Sequence, residues 1–249
     1  MDVLRQHEIA EAGHRILNPF TDEKLELLGE LCRWRRDMRV LDLGSGKGEM
    51  LCTWARRYGI RGLGVDLSEV HVAAARARAA HLGVADLVRF ERAEASTFGV
   101  GEASFDAVAC IGATWIGGGL AGTIDLMRPA LARGGLLLIG EPFWSEPPPE
   151  EAYAALGFAP GEFVSLPATH GRFAAAGLEL LEMVLADEHS WDRYAAAQWW
   201  TVAHWLDEHP DHADAPGMRD YLDRSRWSHL AYARRYLGWG VFVLRAASR

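Results

Sequence analysis

The sequence is short of the features that mark a special environment. It has only 3 cysteines in 249 residues, Cys32, Cys52 and Cys110. Their odd number argues against a disulfide framework and their wide spacing against a local metal clip, which leaves them as small buried apolar residues. No run of 18 apolar residues is present, so no membrane partner is expected. The charged amphipathic start MDVLRQHEIAEAGHRIL lacks the apolar core of a secretion signal, which makes the cytoplasm the expected location. Positive charge is also scarce: 26 Lys and Arg face 34 Asp and Glu, and the formal net charge of −8 opposes attraction to phosphates. A nucleic-acid partner is therefore not expected. His189, His204, His209, His212 and His229 do not follow a ligand spacing, so no metal is expected either. There is no internal repeat, and no low-complexity tract beyond an alanine bias.

What is present is an ordinary globular composition, 49% hydrophobic and 24% charged, in a chain long enough for one large α/β domain. Apolar runs that read as strands alternate with segments of helical period. RVLDLG (39–44) leads into the helical GEMLCTWARRYG (48–59), and RGLGVDLS (61–68) leads into SEVHVAAARARAAHLG, with Ser68 as N-cap and Gly83 as stop. Further strands are expected at 86–92, 104–111 and 135–141, with a helix over about 120–133 between the last two. Such a succession implies a mostly parallel sheet with helices on both faces and ligands at the carboxyl ends of the strands. Three consecutive prolines in EPPPEEAYAALG break the pattern, and a loop over the sheet edge is expected there. Closing strands follow at 178–187 and 239–246. Between them, two helices separated by a turn at HPDHADAPG form an insertion that reads as a lid and carries five of the ten tryptophans.

The stretch VLDLGSGKGE (40–49) is the candidate ligand loop. A triphosphate-binding loop needs a hydroxyl after its lysine, but Lys47 is followed by Gly48. The dinucleotide fingerprint needs its third glycine three positions after the second, whereas Gly44, Gly46 and Gly48 are spaced at two and two. Asp42 discriminates further. Beside a pyrophosphate its charge would repel by about 1 to 4 kcal/mol, whereas beside a cationic group it attracts. Lys47 then reads as the solvated start of a helix.

On these residues, together with the acid-ended GVDLS, ERAEA, ACIGATW and GGLLLIGEP, the chain resembles the class I S-adenosylmethionine-dependent methyltransferases over residues 38–141 and the closing strands. It is most similar to the bacterial small-molecule type. No NPPY-like tetrapeptide of nucleic-acid amino methylators follows the fourth strand, where CIGATW stands instead. The resemblance implies a Rossmann-like doubly wound α/β sheet of seven strands, mostly parallel with an antiparallel last strand. A single domain 1–249 is expected, with an N-terminal helical cover (1–36), a core (37–187 and 238–249) and the helical lid (188–237). S-adenosylmethionine is the implied cofactor. Asp42, Gly44, Ser45, Gly46 and Gly48 would approach its methionine part. Asp66 would hold the ribose hydroxyls, Leu67 would pack on the adenine, Ala93, Glu94 and Ala95 would face the adenine edge, and Cys110 and Ile111 would line the other side. Asp66 lies twenty residues after Gly46, about one helix and one strand, which brings the two to adjacent strand ends. Glu94 stands where the family often has aspartate, so a solvated turn carboxylate is its alternative reading.

The acceptor side is less constrained, because a sulfonium already carries a good leaving group and needs mainly alignment and desolvation. His7 and His14 lie seven apart and are expected on one face of an N-terminal helix that Asn18 and Pro19 end, with His14 as a substrate-contacting catalytic candidate. Glu141 is a candidate base or substrate anchor, against a structural carboxylate. Trp115, Phe143 and Trp144 are candidate pocket walls. Trp199 and Trp200 of the insertion are further candidates, although aromatic residues at helical spacing more often form core. The expected activity is methyl transfer to a small-molecule acceptor. A nicotinamide-dependent oxidoreductase on a similar sheet, and a cofactor-binding protein without methyl transfer, are the alternatives.

Overall fold

The computed structural model describes residues 2–99 and 101–247. Seven strands form one sheet: β1 (Arg39–Leu43), β2 (Arg61–Asp66), β3 (Val88–Arg92), β4 (Phe105–Ile111), β5 (Leu131–Trp144), β6 (Leu178–Leu185) and β7 (Leu237–Ala246), in spatial order β3-β2-β1-β4-β5-β7-β6. Only β7 runs against its neighbours. The chain moves outward from β1 through β2 to β3, then returns to place β4 on the other side of β1. This reversal opens a crevice at the carboxyl ends of β1 and β4, the position where open α/β sheets bind ligands.

Buried strands require covers on both faces, and the helices supply them. On one side α2 (Asp22–Leu31), α3 (Glu49–Tyr58) and α4 (Glu69–His81) bury Leu28, Leu51, Trp54 and Val72 against Val40 and Val241. On the other, α5 (Leu120–Met127) and α7 (Leu166–Ala175) bury Ile124, Met127 and Phe173 against Leu41, Ile139 and Phe242. Each such side chain, fully removed from water, contributes about 1.5 to 3 kcal/mol. The longer of the remaining helices are α1 (Val3–Ala10), α6 (Glu150–Leu156), and the inserted pair α8 (Glu188–Glu208) and α9 (Ala215–Ser228). Among the described residues no helix is long and apolar enough to cross a membrane.

Three expectations are corrected. The loop expected at the triple proline is short: residues 145–149 are irregular, but Pro149 already occupies the N-cap of a helix, α6, where a missing N–H costs nothing. β5 runs on to Trp144, because past Gly140 it pairs with β7 alone, where Pro142 is tolerated. The N-terminal helix stops at Ala10, so His14 lies beyond its end and shares no helix face with His7.

Candidate active site

The crevice holds a cavity of ≈ 430 Å³, lined by the loop after β1, the carboxyl ends of β2 and β4, and a strap of residues 15–18 that follows α1. The β1 loop can turn this tightly because Gly44 and Gly46 adopt left-handed backbone angles. A Cβ on Gly46 would stand 2.8 Å from Leu17 Cδ1 of the strap, so loop and strap are in direct contact there. Gly48 is also left-handed, but for another reason. A Cβ there would meet the Phe90 ring at 2.4 Å and Ala75 at 2.9 Å, so its missing side chain serves core packing beneath the loop.

Asp42 stands near the end of β1 in the cavity wall, 4% exposed, and its buried Oδ1 has no hydrogen-bond partner among the described residues. Burial, reinforced by the nearby charge of Asp66, pushes its carboxyl up to about 7. An unpartnered buried carboxylate is costly, and a cationic ligand group would relieve it. Ser45, Asn18 and His71 each contribute a further buried polar atom without a partner to the same wall. Asp66 has the opposite character. Burial opposes its ionisation, but the nearby His71 imidazole and hydrogen bonds from the Ser68 and Gly46 amides outweigh it and hold its pKa below the ordinary range. The two amide bonds are 2.9 and 2.8 Å long, and His71 Nδ1 lies 3.6 Å from the carboxylate. Asp66 thereby fixes the end of β2 to the glycine loop and keeps lone pairs free on both oxygens.

The other expected cofactor residues divide by strand geometry. Leu67, Glu94, Ala95 and Ile111 line the cavity. Ala93 does not; its amide donates to the Asp66 carbonyl. Cys110 does not either: side chains alternate along β4, so Cys110 faces the α5 side of the core while Ile111 faces the cavity. Glu94 caps its own turn, accepting from the Ser96 hydroxyl at 3.1 Å.

The acceptor-side candidates fare differently. Of the expected walls only Trp115 lines the cavity, at its rim and 71% exposed. Phe143 packs in the core beside Phe173 and Phe242. Trp144 closes a separate cluster with Tyr153 and Phe158. Trp199 donates to Ser225 between α8 and α9, and Trp200 is exposed and stacked on His204. No residue of the insertion lines the cavity. Glu141 also stands outside it. Burial pushes its carboxyl up to about 7, and it accepts from Thr114 Oγ1 at 2.6 Å, which anchors the turn Thr114–Gly117 that carries Trp115. His14 is turned away from the cavity, its ring against Tyr194 and its Nδ1 3.2 Å from Glu11 Oε2.

The cavity draws instead on residues that were not expected at the site. His7 stands at its mouth, edge-on to His71. Arg15 of the strap bonds Glu49 at the start of α3. Lys47, far from being solvated, donates to the carbonyl oxygens of Glu11, Ala12 and His14 at 2.7, 2.9 and 2.7 Å. A signal for His71 was present: it follows Asp66 by five residues, in the first turn of a helix that starts at the crevice. The Lys47 contacts join segments more than thirty residues apart, and no local pattern encodes them.

The geometry of loop, acid and strand ends agrees with comparison to known proteins. A methyltransferase domain family matches residues 40–135. The chain is 46% identical over 248 residues to the uncharacterized protein YjhP of Escherichia coli K12, covering 99% of this chain and 100% of that one. Its structure is similar to that of a SAM-dependent methyltransferase from Geobacter sulfurreducens in complex with S-adenosyl-L-homocysteine, with a TM-score of 0.94, 47% identity, and 98% of this chain and 99% of that chain covered. A SAM-dependent methyltransferase from Thiobacillus denitrificans, in complex with the same ligand, gives a TM-score of 0.94 and 47% identity over 99% and 100% of the two chains. With its seven-stranded sheet, its glycine loop and relatives of this closeness over its whole length, the chain belongs to the class I S-adenosylmethionine-dependent methyltransferases.

Proposed function

We propose that this enzyme transfers the methyl group of S-adenosylmethionine to a small-molecule acceptor by in-line displacement in the strap-covered cavity. The observation that carries the reading is Asp42. A buried carboxylate without a hydrogen-bond partner, beside a glycine loop, suits an ammonium and disfavours the pyrophosphate of a dinucleotide. The residues present fit the cofactor. Asp42, Gly44, Ser45 and Gly46 would hold its amino-acid part, Asp66 its ribose hydroxyls, Leu67 its adenine face, Glu94 and Ala95 the adenine edge, and Ile111 the opposite side. When bound, the cofactor supplies an activated methyl on a sulfonium.

The work left to the protein is alignment and exclusion of water, and pre-organised proximity alone is worth up to about 7 to 11 kcal/mol. The strap supplies the exclusion. Leu17 presses on Gly46, and Arg15 ties the strap to Glu49. Glu141 acts at a distance, through Thr114 and the turn that bears Trp115. A cavity of this size beneath a strap admits a small acceptor more readily than a polymer, and the net charge of −8 disfavours nucleic acid. The expected setting is the cytoplasm.

Calorimetry with S-adenosylhomocysteine and with NAD tests the reading. Binding of the first and not of the second is expected, and the reverse selects the oxidoreductase. Turnover of labelled donor against a metabolite pool is expected to yield a methylated product. Its complete absence would leave a cofactor-binding protein without transfer.

A further inference from the structure

One side chain of the glycine loop, Lys47, bonds the segment that leads from α1 into the strap. The Lys47 ammonium has three protons and no lone pair, and all three donors are spent on the carbonyls of Glu11, Ala12 and His14, at and just beyond the end of α1. The Glu11 carbonyl also accepts the His14 amide at 2.9 Å, and a cation at this end of α1 adds hydrogen bonds and complements the helix dipole. The Lys47 side chain is only part-exposed, and charged groups are seldom drawn from water without such compensation.

Behind the strap the same segment is fastened to the insertion. Glu11 is completely buried. Its Oε1 accepts from Tyr194 Oη at 2.6 Å and from Gln198 Nε2 at 2.5 Å, and Tyr221 Oη donates in turn to Gln198 at 2.8 Å. A continuous polar path therefore runs from the glycine loop, through Lys47 and Glu11, to α8 and α9.

We propose that Lys47 is the latch of the active site: by holding residues 11–14 it positions the strap of residues 15–18 over the cavity, and through Glu11 it makes the insertion part of the same closing unit. The inference rests on the cofactor reading above. It gives Lys47 a role other than ligand contact, although Lys47 sits in the ligand loop. It also implies an order of events, since the cavity must be loaded before the latch closes.

The test is the release of S-adenosylhomocysteine from the full-length protein, followed by stopped-flow tryptophan fluorescence, together with hydrogen exchange of residues 11–18 without ligand. Loss of charge-assisted hydrogen bonds in Lys47→Met is expected to raise the release rate about tenfold. Exchange in the strap is expected to rise while β1 and β4 stay protected. Lys47→Arg, which keeps the charge with a different fork, is expected to recover part of both. Tyr194→Phe, outside the cavity, removes the hydroxyl that faces both Glu11 Oε1 at 2.6 Å and the Leu17 carbonyl of the strap at 3.2 Å, and is expected to speed release in the same direction. Combined with Lys47→Met, it should add less than its separate effect. A faster release in Lys47→Met with unchanged strap exchange would mean that Lys47 touches the ligand directly, and would overturn the latch. So would additive effects of the two substitutions. If Lys47→Met fails to fold, Tyr194→Phe with unchanged release and unchanged strap exchange overturns it alone. If S-adenosylhomocysteine binds none of the proteins, including the unsubstituted one, the cofactor reading fails instead.

Discussion

Two acids twenty-four residues apart in sequence show how the environment divides one chemistry into two roles. Asp66 has amide and imidazole partners and is held ionised; Asp42 has none and is pushed up to about 7 by burial and by the charge of Asp66. A cationic ligand group binds the ionised form of Asp42 more tightly. Affinity for S-adenosylhomocysteine is therefore expected to rise with pH up to about 7 and to level off above it, and calorimetry across that range measures the effect. Asp42→Asn should flatten the profile and weaken binding on the plateau; an unchanged rise would assign the titration to another group. The stability of the ligand-free fold moves the other way. A carboxyl whose folded pKa is raised binds more protons in the folded state, so its contribution is lost as pH climbs from about 4, the unfolded value, to about 7. Glu141 acts in the same sense over the same window. Thermal melting should therefore fall across that interval, and less steeply in Asp42→Asn.

At the scale of the element, the β1 loop was legible in outline but not in its division of labour. The two-and-two glycine spacing and the preceding acid were enough to expect the loop, because a tight turn at a strand end leaves a local signature. What each glycine meets depends on chain distant in sequence: Leu17 for Gly46, Phe90 and Ala75 for Gly48. Gly46→Ala and Gly48→Ala are thus expected to differ. Gly48→Ala combines the left-handed penalty, about 1 to 2 kcal/mol, with overpacking of about 1 to 3 kcal/mol, and denaturant melts should show that loss with or without ligand. Gly46→Ala carries the same left-handed penalty but meets only the Leu17 side chain, without the overpacking, so it should destabilise less and its larger effect should fall on ligand affinity. Equal destabilisation by both substitutions would contradict this division. The same limit explains the acceptor side. Phe143 and Trp144 were expected past the end of the fifth strand, but β5 continues through them, and which face of the sheet they join is set by β7 and α6, which no local pattern reveals.

At the scale of the whole molecule, the helices outside the sheet were read as two covers, and the structure joins them into one. Ile9 and Ala10 of α1 pack with Val202 of α8 and with Met218 and Leu222 of α9 in a cluster separate from both faces of the sheet. The insertion was recognisable from its helical period and its bounding turn, yet its role was not, because amphipathicity shows that a face is buried and not against what. A unit with its own small core is expected to open below the energy of global unfolding. Met218 is completely buried there, and Met218→Ala should cost about 2 to 5 kcal/mol within that unit. Native-state hydrogen exchange should then show α1, α8 and α9 losing protection together while β1, β4 and β5 keep theirs, with ligand release accelerated because the strap follows α1. If α9 alone loses protection, the three helices do not open as one, and the cavity is closed by the strap independently of the insertion.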